Sequence, residues 1–79
     1  MKAEIYTWTY CPFCVRAKEL LDKRGVDYDE HVMDGKDAEL ETVKRQYNHG
    51  TVPIVILDGE FVGGFSELSA VDAAGGLNG

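Results

Sequence analysis

The pattern of apolar and polar residues predicts that the chain begins with a strand followed by a helix. Residues 3–8, AEIYTW, combine β-branched and aromatic side chains, which is typical of a β-strand. Pro12 suits the first position of a helix, because the N–H that proline lacks would have no partner there. Gly25 is expected to end this helix, whose apolar positions are Val15, Ala17, Leu20 and Leu21.

A second strand and a second helix are predicted next. Residues 26–32, VDYDEHV, alternate in polarity and predict a half-exposed strand, with Val26, Tyr28 and Val32 on one side and Asp27, Asp29 and His31 on the other. The Asp34-Gly35 pair predicts a turn. Asp37 is expected to cap the second helix, whose apolar face consists of Leu40, Val43 and Tyr47.

The last part of the chain predicts a hairpin and a third helix. Residues 52–57, VPIVIL, are wholly apolar and predict a strand that is buried on both faces. Asp58-Gly59 is a strong signal for a two-residue turn into EFVG, a strand broken by Gly63-Gly64. Ser66 is expected to cap a helix that Gly75-Gly76 ends, with Leu68, Val71 and Ala74 as its apolar positions.

This order of elements, β-α-β-α-β-β-α, predicts an α/β fold. A β-α-β unit gives parallel strands, and the hairpin adds an antiparallel edge. We therefore expect a four-stranded mixed sheet with three helices and with the third strand in a central position. The arrangement resembles the thioredoxin fold in a small form. Residues 1–79 are expected to form a single domain.

Composition and charge narrow the classes of function. The chain of 79 residues has a net charge of −6, and its basic residues are interspersed with acids, so we expect no nucleic-acid partner. It has no apolar run of about 18 residues, so we expect no membrane segment. The opening, MKAEIYTW, has the pattern of a strand and lacks the apolar core of a signal peptide, which favours a cytoplasmic protein.

The two cysteines, Cys11 and Cys14, lie three positions apart in TYCPFC. As a structural staple, a disulfide closing so short a loop would contribute only about 2 kcal/mol, and a reducing compartment disfavours a permanent bond. A structural zinc site needs four ligands, and only His31 and His49 remain to complete one. We therefore expect no metal, and a reversible thiol–disulfide couple is the remaining use of the pair.

A redox function has a positive physical argument. Because Cys11 precedes Pro12, it is expected at the N-cap of the first helix, where unpaired N–H groups point at its sulfur. These donors and the helix dipole both favour the thiolate, which is the attacking form. Cys14 follows one turn later, close enough to displace a partner from Cys11. A Cys-x-x-Cys pair beside a β-α-β pattern is a strong signal of this chemistry.

Several motifs together make the chain similar to the small bacterial dithiol glutaredoxins. They are CPFC at residues 11–14, TVP at 51–53, DGEFVGG at 58–64 and LSAVDAAGGL at 68–77. The resemblance implies that Cys11 is the catalytic nucleophile and Cys14 the catalytic resolving thiol. It also implies a cis peptide between Val52 and Pro53, a bend that leaves the Val52 backbone free to pair with a substrate.

The resemblance further implies a glutathione site. Its residues would be Phe13, Thr51, Val52, Pro53, Gly64, Phe65, Ser66 and Glu67. The helix end at Ser66 would bind the γ-glutamyl carboxylate through backbone N–H groups. Glutathione would be the reducing co-substrate, with no tightly bound cofactor. The partners would be disulfide-containing or glutathionylated client proteins, including ribonucleotide reductase, and the protein would be a monomer.

Three positions depart from the family pattern. Trp8 replaces a lysine that usually stands three residues before the nucleophile. We therefore expect the negative charges of the thiolate and of the ligand to be stabilised by the helix end and by Arg16 or Arg45. His49-Gly50 stands where an arginine is often found. The glycine pair is commonly followed by x-Asp-Asp, and here by Phe65-Ser66-Glu67, which leaves Glu67 as the carboxylate for the ammonium group of glutathione.

The function implied is a glutathione-dependent thiol–disulfide oxidoreductase that reduces protein disulfides and glutathione mixed disulfides. Two alternatives remain open at this point. One is a glutaredoxin-like hydrogen donor for ribonucleotide reductase that thioredoxin reductase recharges. The other is a dimer that binds an iron–sulfur cluster through Cys11 and glutathione, against which Pro12 argues because cluster-binding relatives usually lack that proline.

Overall fold

The computed structural model describes residues 1–77 and contains four strands and three helices in the predicted order. In chain order these are β1 (Lys2–Thr7), α1 (Pro12–Lys23), β2 (Asp27–Val32), α2 (Asp37–Tyr47), β3 (Ile54–Leu57), β4 (Glu60–Gly63) and α3 (Phe65–Ala73). The strands form one mixed sheet in the order β2-β1-β3-β4. The predicted fold class and the central position of the third strand are confirmed.

Pairing in the sheet follows from the connections between the strands. β1 and β2 are parallel, with Ile5 opposite Glu30, because helix α1 returns the chain to the same end of the sheet. β3 is antiparallel to both of its neighbours and places Val55 opposite Ile5. The β3–β4 hairpin turns through Asp58 and Gly59, whose φ angles of 49° and 82° are those of the predicted two-residue turn.

Helices cover both faces of the sheet. On one face, α1 and α3 pack over β1 and β3, and the buried cluster there consists of Ala3, Ile5, Ala17, Leu21, Val26, Val55, Leu57, Leu68 and Leu77. On the other face, α2 packs over a smaller buried cluster of Met33, Leu40 and Ile54, with Tyr6 and Val43 at its border. We call these the α1/α3 face and the α2 face. β3 is buried throughout, as its apolar sequence predicts.

Two predicted helix caps are wrong. Asp37 is the first residue of α2, and the N-cap is Lys36, which makes no side-chain capping bond. Asp37 therefore acts in the first turn, where a carboxylate still favours the helix dipole. Ser66 lies inside α3, because β4 ends at Gly63 and Gly64 is the N-cap. Glu67, in the first turn of α3, accepts the Gly64 N–H at 2.7 Å, which is the carboxylate half of a capping box.

The strand boundaries and one alternation pattern also differ from prediction. β1 begins at Lys2 and ends before Trp8, and β3 begins at Ile54, because the cis Val52–Pro53 bend lies outside the ladder. In β2, the polarity pattern does not match burial at its end. Val32 is 43% exposed, whereas His31 is half-buried because its ring stacks on Tyr6, with 4.7 Å between the ring centres.

Candidate active site

The two cysteines occupy the N-terminal end of α1. Cys11 is the N-cap, with extended backbone angles, and its sulfur accepts the backbone N–H of Cys14 at 3.1 Å. The two side chains form a disulfide, with their Cα atoms 5.1 Å apart. Cys14 is 1% exposed, whereas Cys11 is only partly buried. Of the two cysteines, Cys11 is therefore the more accessible to solvent, and its predicted role as nucleophile stays a prediction.

The loop that precedes Cys11 is held by a hydrogen bond and bears aromatic side chains. The Thr9 backbone N–H donates to the Asp34 carboxylate at 2.8 Å, which fixes the loop against the turn after β2. Tyr10 is 92% exposed and does not line the groove described next. Trp8 is partly exposed, and Nζ of Lys44 lies 5.4 Å from its ring centre, so an α2 cation stands beside this loop.

A groove of about 250 Å³ includes Phe13, the residue of α1 that lies between Pro12 and Cys14, in its lining. The structure brings together all eight residues of the expected glutathione site as its lining: Phe13, Thr51, Val52, Pro53, Gly64, Phe65, Ser66 and Glu67. The ninth lining residue is His49. Residues from the start of α1, the segment before β3 and the start of α3 thus share one concave surface. Their assembly is a fact of the fold, and their role in binding is considered below.

The segment before β3 provides the backbone of the groove wall. The Val52–Pro53 peptide is cis, as the resemblance implies. In the described chain, no loop or turn hydrogen bond of the backbone involves Val52, and β3 pairing begins only at Ile54. The Val52 peptide groups are therefore available to an extended ligand, which can pair with them as a short added strand does.

The opposite wall is the start of α3. The Glu67 carboxylate lies on the Gly64 N–H, so one donor of this helix end is already used and a negative charge is placed there. Gly63 has a φ of 131°, and an added Cβ would lie 2.6 Å from Oε1 of Glu67, so only glycine fits. The Phe65 ring packs against Phe13, with 6.2 Å between ring centres, and joins this wall to α1.

His49 is the groove residue that sequence reasoning placed only in a loop. Its backbone N–H donates to Lys44 O at 2.9 Å, and Asn48, in the left-handed region with φ 52°, turns the chain after α2. The Phe61 ring meets the imidazole edge-on, with centres 5.7 Å apart. His49 is one of the nine residues that line the groove. The one sequence signal that marked this position was the departure of His49-Gly50 from the family pattern.

Two further depressions lie on the surface of the described chain. One of about 620 Å³ lies between β4 and α3, and it shares only Glu67 with the groove lining. The two arginines that were expected to stabilise negative charge do not line the groove. The guanidinium carbon of Arg16 lies 5.4 Å from the centre of the Phe13 ring, and Arg45 lines a neighbouring depression.

Residues 1–77 contain no cluster of three or more His, Cys, Asp or Glu side chains arranged to bind a metal ion. None of the helices in this part of the chain is long and apolar enough to cross a membrane. The disulfide and the groove are therefore the features from which the chemistry of the site has to be argued.

Comparison with known proteins agrees with this geometry. The glutaredoxin family model matches residues 3–62. Glutaredoxin 3 of Escherichia coli K12 is 43% identical over 75 residues, which cover 95% of this chain and 90% of that protein. A probable glutaredoxin of Synechocystis is 38% identical over 78 residues, covering 98% of this chain and 89% of the relative.

Solved structures show the same likeness. A dithiolic glutaredoxin of Trypanosoma brucei brucei superposes with a TM-score of 0.85 at 37% identity, covering 96% of this chain and 81% of that one. A buckwheat glutaredoxin–glutathione complex superposes with a TM-score of 0.90 at 28% identity, covering 95% and 71%. With its Cys11–Cys14 pair at the start of α1, the chain therefore belongs to the glutaredoxin family of thiol–disulfide oxidoreductases.

Proposed function

We propose that the protein is a glutathione-dependent oxidoreductase that reduces glutathione mixed disulfides and protein disulfides through Cys11 and Cys14. The observation that carries the proposal is a groove lined by all eight expected glutathione-binding residues, one of which, Phe13, lies in the chain between the partly buried Cys11 and the buried Cys14. A related glutaredoxin of the same fold has been solved as a complex with glutathione, which supports this choice of ligand.

The geometry supports a sequence of thiol–disulfide exchanges. In the reduced protein, the Cys11 thiolate attacks a sulfur of the substrate disulfide, forms a mixed disulfide and releases the other half as a thiolate. The first turn of α1 stabilises the attacking charge, because the Cys14 N–H points at the Cys11 sulfur. A glutathione thiolate then attacks the glutathione sulfur of a glutathionylated Cys11, which yields oxidised glutathione and regenerates the Cys11 thiolate.

Cys14 provides a second route for protein disulfides. Its thiolate attacks the Cys11 sulfur of a mixed disulfide, releases the client thiol and leaves the Cys11–Cys14 disulfide that the structure contains. Two glutathione molecules then reduce this bond and become oxidised glutathione. Because Cys14 is 1% exposed, it reaches Cys11 more readily than it reaches an external disulfide.

The remaining parts of the proposal concern the setting of the reaction. The protein would act as a cytoplasmic monomer with one domain, residues 1–79. Its clients would be glutathionylated or disulfide-containing proteins, with ribonucleotide reductase among the candidates. Glutathione would serve as co-substrate, with no tightly bound cofactor.

The experiment is a coupled assay with a small glutathione mixed disulfide, glutathione, glutathione reductase and NADPH. Cys11→Ser is expected to reduce NADPH oxidation to the background rate, because it removes the nucleophile. Cys14→Ser is the matched control. It is expected to retain this activity and to lose reduction of a protein disulfide, since only that reaction needs the second thiol.

Three outcomes would contradict the proposal. If Cys14→Ser abolished the mixed-disulfide activity and Cys11→Ser did not, the roles of the two cysteines would be reversed. If thioredoxin reductase reduced the oxidised protein and glutathione did not, the glutathione donor would be wrong. A coloured dimer from anaerobic purification would favour a cluster-binding function.

A further inference from the structure

The depression between β4 and α3 is a second concave surface, and the proposed reaction does not use it. Its volume of about 620 Å³ is within the range of about 300–1,000 Å³ that ligand-binding clefts have. Its apolar lining includes Leu57, Val62 and Val71, and the last two border the buried cluster of the α1/α3 face. A ligand that fills this depression therefore covers apolar surface that contacts water in the free protein.

One wall of this depression is the free edge of the sheet. β4 is the last strand in the order β2-β1-β3-β4, so it pairs with β3 on one side only. The backbone hydrogen bonds that turns, loops and caps make in the described chain involve none of residues 60–63. The peptide groups of β4 that point away from β3 can therefore pair with an added extended segment. A register shift in the β3–β4 pairing keeps this edge short, which suits a segment of a few residues.

The charged side chains of the lining are acidic. Asp58, Glu60 and Glu67 contribute carboxylates, and none of the described residues in the lining has a basic side chain. The α-amino group of Met1 offsets only one of these charges. Glu60 lies opposite Leu57 in the ladder, and residues paired in this way project to the same face of the sheet. Since Leu57 belongs to the cluster of the α1/α3 face, an added segment meets carboxylate and apolar groups on one side.

We propose that this depression and the edge of β4 dock an extended segment of a client protein whose basic and apolar side chains alternate on the side facing the depression. The basic side chains pair with the carboxylates, the apolar ones fill the depression, and the backbone pairs with β4. A second copy of the chain is a poor occupant, because the net charge of −6 and the acidic lining oppose the approach of two such edges. The inference goes beyond the proposed reaction and rests on it only in calling the partner a client.

The position of the depression gives this docking a use. Glu67 lines both the depression and the groove, so a segment held at β4 lies next to the groove in which the client disulfide would react. Docking raises the effective concentration of that disulfide at the groove and leaves the chemistry unchanged. We therefore expect it to favour clients that have a basic segment near the reactive cysteine and to leave the reaction of small disulfides unaffected.

The test is an NMR titration of the oxidised full chain with two peptides that contain no cysteine. The probe is acetyl-Lys-Thr-Val-Thr-Lys-Thr-amide, in which the lysines and the valine occupy alternate positions, and its counterpart has Glu in place of Lys. At about 50 mM NaCl the lysine peptide is expected to bind about tenfold more tightly than its counterpart, and the difference should shrink in about 0.5 M NaCl. Changes in amide chemical shift should be largest in β4 and at Ala70 and Val71 of α3.

Two pairs of variants locate the docking site. Glu60→Lys reverses one charge of the lining and should weaken binding of the lysine peptide about fivefold. Glu19→Lys makes the same change of net charge at an exposed position of α1 and should bind nearly as the wild type does. In α3, Ala70→Arg brings a cation to the lining and should weaken binding, whereas Ser69→Arg brings it to an exposed position beside the lining and should not. This second pair stays informative if the β3–β4 hairpin does not tolerate Glu60→Lys.

The inference would be overturned if neither peptide bound, if both bound equally, or if the two variants of a pair had equal losses. Shift changes confined to the groove at Phe13 and Thr51 would also refute it, since the peptide would then bind there. A dimer that forms through β4 without peptide would assign the edge to a second copy. Turnover of a small glutathione mixed disulfide should be unchanged in all four variants, so a failure of docking is distinguished from a failure of the proposed function.

Discussion

The two faces of the sheet differ in how much apolar surface they bury. In the described chain, the α1/α3 face holds nine buried residues from strands and helices, whereas the cluster of the α2 face contains only three. Within α1, Cys14, Ala17 and Leu21 are buried, but α2 buries Leu40 alone. Burial of apolar area is the main stabilising contribution, so the α1/α3 face should provide most of the stability.

The site combines parts from both faces. Cys11 and Cys14 lie at the start of α1, which packs into the larger buried cluster. The two sulfurs are therefore on the helix that buries more apolar surface. His49, Thr51 and Val52 continue from α2, which is held by the smaller cluster. Mutations on the two faces should therefore have different effects. Changes on the α1/α3 face should affect folding, and changes on the α2 face should affect ligand affinity.

The largest effect is expected on the α1/α3 face. Leu21 is fully buried in the nine-residue cluster, so Leu21→Ala should lower the free energy of unfolding by about 2–5 kcal/mol. Urea unfolding followed by circular dichroism measures this loss. Leu20→Ala is the control, because Leu20 only borders the cluster and should cost less. Equal losses from the two variants would contradict the assignment of Leu21 to the core.

A smaller effect on stability is expected on the α2 face. Leu40 is 2% exposed, but its cluster is small and can relax, so Leu40→Ala should cost about 2 kcal/mol, at the lower end of the range for such changes. The same variant should raise KM for a glutathione mixed disulfide, because α2 leads into the groove wall. Hydrogen exchange of α2 amides should also accelerate more than that of α1. Uniform acceleration in all helices would remove the distinction between the faces.

The sequence predicted the elements well where local chemistry decides them. The run from Ile54 to Leu57, the Asp58-Gly59 turn and the position of Cys11 before Pro12 were all confirmed. Motif resemblance also named eight residues that the fold brings to one groove. These features depend on short stretches of chain whose backbone preferences are strong.

The sequence did not predict what depends on long-range contacts. Ser66 was expected as a cap, but a glycine ended the strand and Glu67 reached back to it. His49 was marked only by its departure from the family pattern, and its ring contact with Phe61 of β4 is a long-range one that the sequence does not show. The alternation in β2 failed at His31 because its ring stacks on Tyr6, a cross-strand contact that polarity patterns do not encode.

A polar network on the α1/α3 side gives the next prediction. Oγ1 of Thr7, fully buried, donates to Glu30 at 2.7 Å, and Nζ of Lys18 donates to the same carboxylate oxygen at 2.9 Å. Burial alone would raise the pKa of Glu30, but these two hydrogen bonds outweigh it and hold the pKa below its ordinary value. The network therefore stabilises the fold above the pKa of glutamate in the unfolded chain, and this contribution is lost as pH falls through the folded pKa.

Glu30→Gln tests this network. At pH 7 the variant should be less stable by about 1 kcal/mol. This is less than a fully buried hydrogen bond to a charged group contributes, because the Glu30 side chain is partly exposed. The difference should shrink as pH falls through the lowered folded-state pKa of Glu30, since the wild-type carboxylate then becomes protonated. Urea unfolding at the two pH values measures it, with Glu19→Gln as an exposed control from α1. A difference that does not change with pH would show that packing, not charge, is responsible.

The smallest effect is expected from the ion pair that joins α1 to α3. Nε of Arg24 lies 2.7 Å from Asp72, and Nη2 makes a second contact at 3.2 Å, so the contact is bidentate. The pKa of Arg24 is raised, first by the hydrogen bond to Asp72 and then by its charge. The folded-state pKa stays above the range of ordinary measurements, so this pair should give no pH dependence near neutrality. Salt is the useful variable, because it screens exposed charges.

Arg24→Ala should lower the urea midpoint slightly at low salt, and the shift should shrink in 1 M NaCl. The comparison variant is Lys2→Ala, which breaks a pair with Asp29 whose side chains are 57% and 61% exposed. That pair is monodentate and should contribute less, since Asp72 is only 16% exposed. If the two variants had equal shifts, the bidentate geometry at the end of α1 would add nothing to the stability of the α1/α3 face.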